Sequence, residues 1–195
     1  MAMSTMQEHY GRLFVYSGKY KLVALLKEPS TPQHEDVDNV KKAVIFVGGL
    51  GDGFLCCPYI PLLSEQINAA GWSFIQPLLR SSYKGYGMSS IANDTEDLTV
   101  LLRHIRDKYN IGRVVVCGHS TGCQDAVALA KSEDEIVRDC LRGVVLQAPA
   151  SDRLCMEMLL EKYSEHMKLA KELFSKDPAS LMPHDAFFDP ISASR

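Results

Sequence analysis

The chain has 195 residues, of which 46% are hydrophobic and 23% are charged, and its formal net charge is −3 at pH 7. This length suffices for one domain with a hydrophobic core, and the composition is that of an ordinary globular protein. No run of lysine and arginine suggests a nucleic-acid partner, and no apolar run is long enough to predict a membrane span. The N-terminal residues lack the blocks of a signal peptide, so we expect a cytoplasmic protein.

The six cysteines and six histidines show no C-x-x-C pair and no zinc-type grouping. We therefore expect no metal, no cofactor and reduced thiols. The cysteines are Cys56, Cys57, Cys117, Cys123, Cys140 and Cys155.

The first part of the chain predicts three strands and a glycine-rich loop. Residues 12–16 and 21–26 favour two strands joined by a hairpin turn, and residues 28–40 favour a polar loop. The apolar residues 43–47 predict a buried strand that leads into Gly48-Gly49-Leu50-Gly51-Asp52-Gly53. So many glycines indicate a sharp turn or a close approach of the backbone. A dinucleotide-binding loop is disfavoured, because GGLGDG does not match G-x-G-x-x-G.

The next part alternates helix and strand. The pattern predicts a helix at 60–70, a strand at 72–77, a polar loop at 78–91 and a second helix entered through Asn93, with Glu96 completing a capping box. The apolar stripe of this second helix is Leu98, Leu101, Leu102, Ile105 and Tyr109.

The segment 113–122, RVVVCGHSTG, carries the strongest motif. Its valine-rich residues 114–117 predict a buried parallel strand, and an apolar pattern at helical spacing covers 126–130. Between them stands G-x-S-x-G, a tight strand-to-helix turn that exposes its serine, here Ser120. An ordinary glycine-rich turn is the alternative, but the strand before and the helix after the motif favour a nucleophile elbow.

A further buried strand is predicted at 143–147, so strands and helices alternate along most of the chain. This alternation predicts an α/β fold, a mostly parallel sheet with helices on both faces. Right-handed crossovers then bring the loops 48–53, 78–91 and 148–152 and Ser120 to one edge of the sheet.

The segment from Asp152 onward has a different character. Its apolar residues mark one face of a long, methionine-rich helical stretch. This stretch is either the start of a lid over the pocket, within 152–190, or another packing helix, and the sequence leaves both interpretations open.

A serine hydroxyl attacks an ester only with a base, a group that orients the base, and donors to the oxyanion. Ser120 is the predicted nucleophile. The amide of Thr121, at the start of a helix, is the first predicted oxyanion donor. The loop at 48–53 supplies the second through the amide of Leu50 or a neighbour.

The base is harder to assign. In the α/β-hydrolase order the acid and the histidine follow the nucleophile, and only His166 and His184 do so here. His166 fits a packing or surface position on the helical stretch. His184 lies in a predicted loop, where Asp152 or Asp185 would have to orient it. His119 adjoins the nucleophile and lacks the required geometry.

Four segments together resemble a poorly characterised family of α/β-hydrolases that includes fungal esterases acting on fusarinine-type siderophores. They are AVIFVGGLGDGF, GWSFIQPLLRSSYKGYGMSS, VVVCGHSTGCQD and VVLQAPASDR, within a similarity that runs over 12–195. The resemblance implies a Ser-Asp-His triad with Ser120 as nucleophile and an oxyanion loop at Gly49-Leu50. Family members continue past the point that corresponds to Arg195. We therefore expect a single truncated domain over 1–195, the N-terminal two-thirds of such a hydrolase, without the triad acid and histidine.

Two functions are compatible with these features. The first is a serine hydrolase acting on small-molecule esters, with weak or no turnover by this chain because the base is missing. The second is a non-catalytic scaffold that binds a ligand or a partner. Residues 143–147, as an apolar sheet edge, also predict self-association. A nucleotide-binding domain is disfavoured, because the glycine-rich loop lacks the Lys-Ser/Thr pair of a P-loop.

Overall fold

The computed structural model describes residues 9–30, 40–187 and 190–193. Its strands are β1 (Arg12–Ser17), β2 (Leu22–Lys27), β3 (Lys41–Val47), β4 (Ser73–Pro77), β5 (Ile111–His119) and β6 (Leu141–Gln147). They form one sheet in the order β1-β2-β4-β3-β5-β6. The pairs β1–β2 and β2–β4 are antiparallel, whereas β4, β3, β5 and β6 run parallel. The predicted mostly parallel sheet is confirmed.

The helices are α1 (Ile60–Ala69), α2 (Ile91–Tyr109), α3 (Gly122–Ala130), α4 (Glu135–Cys140), α5 (Asp152–Leu159) and α6 (Tyr163–Lys176). Two 3-10 turns cover Tyr83–Met88 and His184–Ala186. In the part of the chain that the structure describes, no helix combines the length and the apolar character that a membrane crossing requires.

Strand β3 shows how the two faces of the sheet are covered. Ala43, Ile45 and Val47 belong to the larger core cluster, together with apolar residues of α2 and α3. Phe46 points the other way, as alternation along a strand requires, and packs with Ile60 of α1. Helices therefore cover both faces, as predicted.

The start of α2 differs from its prediction. The capping residue is Ser90, whose hydroxyl accepts a hydrogen bond from the Asn93 amide at 3.2 Å. Asn93 is therefore the third residue of the helix rather than its cap. Glu96 does not close a capping box, because its carboxylate binds the Arg80 guanidinium at 2.6 Å. The predicted loop at 78–91 also contains a 3-10 turn.

The sequence pattern predicts neither α4 nor the division of the last helical stretch into α5 and α6. Helix α4 is too short for an apolar period to show, and Asp134 caps it by accepting from the Ile136 amide at 3.1 Å. The helical stretch predicted after Asp152 is two helices, since the backbone at Leu160 is extended and ends α5.

The carboxyl ends of the four parallel strands meet at one edge of the sheet, where the loops after them contact one another. The Tyr83 amide donates to the Asp52 carbonyl at 3.3 Å, and the Ser120 amide donates to the Gln147 carbonyl at 3.0 Å. The predicted convergence of these loops is therefore present, and it positions the candidate site.

Candidate active site

The turn between β5 and α3 holds Ser120 in an unusual conformation. Its φ angle is +52°, in the left-handed region that residues with a side chain rarely adopt. The turn is closed by the Cys123 amide, which donates to the Ser120 carbonyl at 3.1 Å. A strained φ angle at this position is what a sharp strand-to-helix turn with an exposed serine requires.

Both glycines of the motif are required by close backbone contacts. A Cβ atom on Gly118 would lie 2.3 Å from the Gly122 carbonyl oxygen, and one on Gly122 would lie 2.3 Å from the Gly48 carbonyl oxygen. Non-bonded atoms do not approach so closely. The second contact also shows that residues 48–53, called the glycine loop below, pack against the start of α3.

The glycine loop approaches Ser120 and leaves an amide free beside it. A Cβ atom on Gly49 would lie 3.0 Å from the Ser120 Cβ atom. The Gly49 amide donates to Asp52 Oδ2 at 2.6 Å, so it is already engaged. Within the described residues, no hydrogen bond uses the amide of Leu50 or that of Thr121. These are the two amides that the sequence predicts as oxyanion donors.

Leu50 and Thr121 line one small cavity of about 20 Å³, together with Asp52 and Tyr86. A cavity needs about 10–15 Å³ to hold one water molecule, so this one has room for a single small group. Its size suits one oxygen atom of a ligand, and the two residues with free amides are among those that line it.

A larger cavity of about 230 Å³, called the apolar cavity below, lies beside the small one, and Leu50 and Tyr86 line both. Its other walls come from α5, α6 and the segment after α6, and they include Met156, Leu160 and Met167. The segment predicted as either a lid or a packing helix therefore forms a wall of this cavity.

A family model described as a protein of unknown function (DUF1749) matches residues 15–195. The chain belongs to this family. The match includes the glycine loop, Ser120 and all the residues that line the apolar cavity. It confirms the resemblance that the four sequence segments indicated.

Relatives of this DUF1749 protein include fungal esterases. A fusarinine C esterase of Aspergillus fumigatus is 28% identical over 162 residues, which are 72% of this chain and 43% of that protein. An esterase of Emericella nidulans is 28% identical over 149 residues, 63% of this chain and 40% of that protein. A UPF0613 protein of Schizosaccharomyces pombe is 32% identical over 149 residues, 74% of this chain and 46% of that protein. The chain spans less than half the length of these relatives.

Solved structures of α/β-hydrolases share the fold. The siderophore hydrolase EstB from Aspergillus fumigatus superposes with a TM-score of 0.70 at 24% identity, over 98% of this chain and 64% of that chain. An α/β-hydrolase fold protein of unknown function also gives a TM-score of 0.70, at 20% identity, over 97% of this chain and 62% of that chain. The predicted α/β-hydrolase-type fold is confirmed.

The two histidines that follow Ser120 in this DUF1749 member have different surroundings. His166 lies on α6, and its Nε2 atom is 3.5 Å from Asp185 Oδ1. Asp185 also binds Lys162 at 3.4 Å, whereas His184 is exposed. In the described part of the chain, no hydrogen bond joins the Ser120 hydroxyl to either histidine. The triad acid and histidine stay unassigned.

Gln147, at the end of β6, is a site residue that sequence reasoning missed. Its carbonyl accepts the Ser120 amide, and its side-chain oxygen accepts from the Tyr59 hydroxyl at 2.9 Å. The same oxygen lies in hydrogen-bond contact with Nδ1 of His119. His119 is therefore held by Gln147. The sequence feature that could have identified Gln147 as a site residue is its position at the end of a predicted strand.

Three potential metal-ligand atoms, from Asp52, Cys57 and His119, lie within 4.8 Å of one another. Sequence spacing does not predict this group, because Asp52 and Cys57 lie in the loop between β3 and α1 whereas His119 ends β5. Asp52 Oδ2 already accepts from Gly49.

All six cysteines are free thiols. That of Cys123 donates to the Gly118 carbonyl at 3.1 Å, and burial raises the pKa of this thiol.

Proposed function

We propose that the chain carries the nucleophile and the oxyanion site of a serine hydrolase that acts on small-molecule esters. Ser120 is the nucleophile, and the amides of Leu50 and Thr121 are the oxyanion donors. The observation that carries the proposal is the left-handed φ angle of Ser120 beside these two free amides. The esterase names of two relatives support esters as the substrate class.

The chemistry follows from this arrangement. The Ser120 oxygen attacks the ester carbonyl carbon, and the carbonyl oxygen becomes negatively charged as the tetrahedral intermediate forms. The small cavity accommodates this oxygen, and the Leu50 and Thr121 amides donate to it. Thr121 precedes α3, so the positive end of the helix adds to the stabilisation. When the intermediate collapses, the bond between the carbonyl carbon and the alcohol oxygen breaks. The alcohol leaves with the proton that a base has taken from the Ser120 hydroxyl, and an acyl group stays on Ser120.

Efficient turnover also needs a base that removes the proton of the hydroxyl. Since no hydrogen bond among the described residues joins the Ser120 hydroxyl to a histidine, we expect weak or no turnover by this chain. A single covalent modification of Ser120 is therefore a better measure of its reactivity than hydrolysis.

A fluorophosphonate probe tests the proposal directly. We expect slow labelling of the wild-type chain at Ser120, located by peptide mass spectrometry, and none of Ser120→Ala. Ser81→Ala is the matched control, because Ser81 lines the same small cavity, and it should be labelled like the wild type. Labelling that persists in Ser120→Ala would refute the nucleophile. A wild-type chain that stays unlabelled would instead favour the non-catalytic binding scaffold.

A further inference from the structure

We propose that Asp52, Cys56, Cys57 and His119, called the four-donor group below, bind one Zn²⁺ ion. The ion would join the loop between β3 and α1 to the end of β5. The spacing of cysteines and histidines along the sequence predicts no metal, because these donors meet only in the folded chain. The inference goes beyond the proposed function and does not depend on it, since none of the four side chains acts on the ester.

The donor atoms lie close together. One ligand atom from each of Asp52, Cys57 and His119 lies within 4.8 Å of the other two. The Cys56 Sγ atom is 3.9 Å from that of Cys57, and the Cys56 thiol hydrogen-bonds the Asp52 carboxylate. Ligand atoms on a tetrahedral zinc are about 3.3–3.8 Å apart, because their bonds to the metal are about 2.0–2.3 Å long. Side-chain shifts of about 1 Å would therefore bring the four-donor group to zinc geometry.

The chemistry of the donors selects the ion. Thiolate, imidazole and carboxylate groups bind Zn²⁺, whereas Mg²⁺ and Ca²⁺ prefer sets of oxygen atoms. Cys57 is only 8% exposed, but Asp52 and His119 are half-buried. Tyr59, whose ring lies edge-on to that of His119, is exposed. An ion can therefore enter from this side, and both thiols would release their protons to the solvent as it binds.

Neighbouring groups already orient two of the ligands. The Gly49 amide donates to Asp52 Oδ2 at 2.6 Å, and Gln147 Oε1 is in hydrogen-bond contact with Nδ1 of His119. A metal-ligating histidine typically uses one ring nitrogen for the metal and the other for such a bond, and ligating carboxylates are likewise hydrogen-bonded. The surroundings of both residues are therefore those of metal ligands.

The charge of Asp52 also favours a cation. Among the residues that the structure describes, no lysine or arginine forms an ion pair with its carboxylate. A carboxylate that is partly removed from water is costly unless another charge or hydrogen bonds compensate it. A divalent cation beside Asp52 would add this compensation to the hydrogen bonds that it already accepts.

Cobalt(II) tests the site on the full, reduced chain, because Co²⁺ can replace Zn²⁺ and its absorption spectrum reports thiolate ligands. We expect one Co²⁺ per chain, with a sulfur-to-cobalt charge-transfer band in the near ultraviolet that added Zn²⁺ removes by displacement. Mg²⁺ should not compete, since thiolates are poor ligands for it. A wild-type chain that shows no such band, or a band that Mg²⁺ removes as well as Zn²⁺ does, would overturn the inference.

Variants of the ligands assign the band to the four-donor group. At saturating Co²⁺, Cys56→Ser and Cys57→Ser should each remove about half of the band, since each takes away one of two thiolates, and the double variant should remove all of it. Cys155→Ser is the matched control, because Cys155 is an exposed thiol on α5, and should leave the band unchanged. A band that persists in the double variant, or that Cys155→Ser reduces equally, would contradict the ligand set.

His119→Leu keeps both thiols and provides a test that does not alter the buried Cys57. It should weaken Zn²⁺ binding, measured by competition with a chromophoric chelator, by more than about hundredfold, because loss of an outer hydrogen-bond partner alone costs about 10–100-fold. Circular dichroism without metal checks that each variant is folded. A folded His119→Leu chain that binds Zn²⁺ as tightly as the wild type would show that His119 is not a ligand.

Thermal unfolding tests the link between the two segments. An ion that binds the folded chain raises the unfolding midpoint, and the rise grows with its concentration. We expect this rise with Zn²⁺ in the wild type and in Ser120→Ala, and not in the double cysteine variant. The result for Ser120→Ala holds even if fluorophosphonate labelling refutes the nucleophile, so the two proposals fail independently. Equal midpoints with and without Zn²⁺ in the wild type would show that the ion does not join the loop to β5.

Discussion

Asp52 fixes the glycine loop from within. Its carboxylate accepts the Gly49 amide at 2.6 Å, and its own amide donates to the Gly49 carbonyl at 3.1 Å. With Gly49 engaged, the next amide, that of Leu50, is the one that remains available at this end of the loop. Asp52 is thus a positioning residue in the proposed mechanism, since it acts through the backbone rather than on the substrate.

Asp52→Ala should slow fluorophosphonate labelling of Ser120 by about tenfold. Losing an oxyanion donor outright typically costs 10²–10³ in rate, and this variant only loosens the loop that holds one. Asp52→Asn keeps an acceptor oxygen and should lose less. Labelling rates are compared with thermal unfolding midpoints, so that a slower reaction is separated from a less stable fold. Equal labelling rates in wild type and Asp52→Ala would show that the carboxylate does not position the site.

Gly122 is constrained by space rather than by backbone conformation. A Cβ atom there would meet the Gly48 and Val47 carbonyl oxygens at 2.3 and 2.5 Å. Gly122→Ala should therefore lower the free energy of unfolding by about 1–3 kcal/mol, the usual cost of overpacking. Gly143→Ala is the matched control, because a Cβ atom on Gly143 meets nothing within 4 Å. Chemical denaturation measures both variants, and a similar loss in the two would contradict the close contact.

At the scale of elements, Arg80 links the loop after β4 to α2. Its Nε atom donates to Asp97 Oδ1 at 2.9 Å, and one Nη atom donates to the Asn93 carbonyl at 2.7 Å. The Arg80 amide also donates to Asp97 Oδ2 at 2.9 Å. The Asp97 side chain is only 3% exposed, so its charge depends on these bonds. This link holds the segment that carries Tyr83 and Tyr86 against the site.

Arg80→Ala should lower the free energy of unfolding by about 2–3 kcal/mol. Removing one partner of a buried pair costs about 3–5 kcal/mol, and Arg80 retains some exposure that reduces the effect. Arg103→Ala is the control, since its pair with Asp134 is more exposed and should cost less than about 1 kcal/mol. Urea unfolding compares them. Losses of equal size would mean that burial of Asp97 does not set the strength of the pair.

These elements show which features of the fold and of the site can be predicted from the sequence. The turn at Ser120 was predictable because its signal is local: an apolar strand, two glycines and a helix lie within one short segment. The strand ends were placed at one edge by the general handedness of crossovers. Three contacts have no counterpart in the periodic pattern of the sequence, so they could not be predicted from it. They join Arg80 to Asp97, Asp52 to Gly49 and His166 to Asp185. The sequence, for example, offers Asp185 only as a partner of His184, whereas in the structure Asp185 lies beside His166 of α6.

At the scale of the whole molecule, the two edges of the sheet are formed by β1 and β6. Strand β1 forms one edge, and its register is broken by an irregularity between Val15 and Ser17. Strand β6 forms the other and pairs within the described residues only with β5. Its own irregularity lies at its start, opposite Val114 and Val115, and a regular apolar run, Val144, Val145 and Leu146, follows it. An exposed apolar edge favours pairing with another chain. Self-association through β6 is therefore our prediction for this chain.

The prediction is that the chain associates reversibly as its concentration rises, and that Val145→Lys weakens the association. Val145 is 50% exposed on β6. Like charges brought together across paired edges should cost up to about 1 kcal/mol, roughly fivefold in Kd. Leu62→Lys is the control, because Leu62 is 60% exposed on α1, away from the sheet edge. Sedimentation equilibrium over a range of concentrations measures all three chains. A wild type that stays monomeric, or a Leu62→Lys variant that weakens association as much as Val145→Lys does, would show that β6 is not the contact.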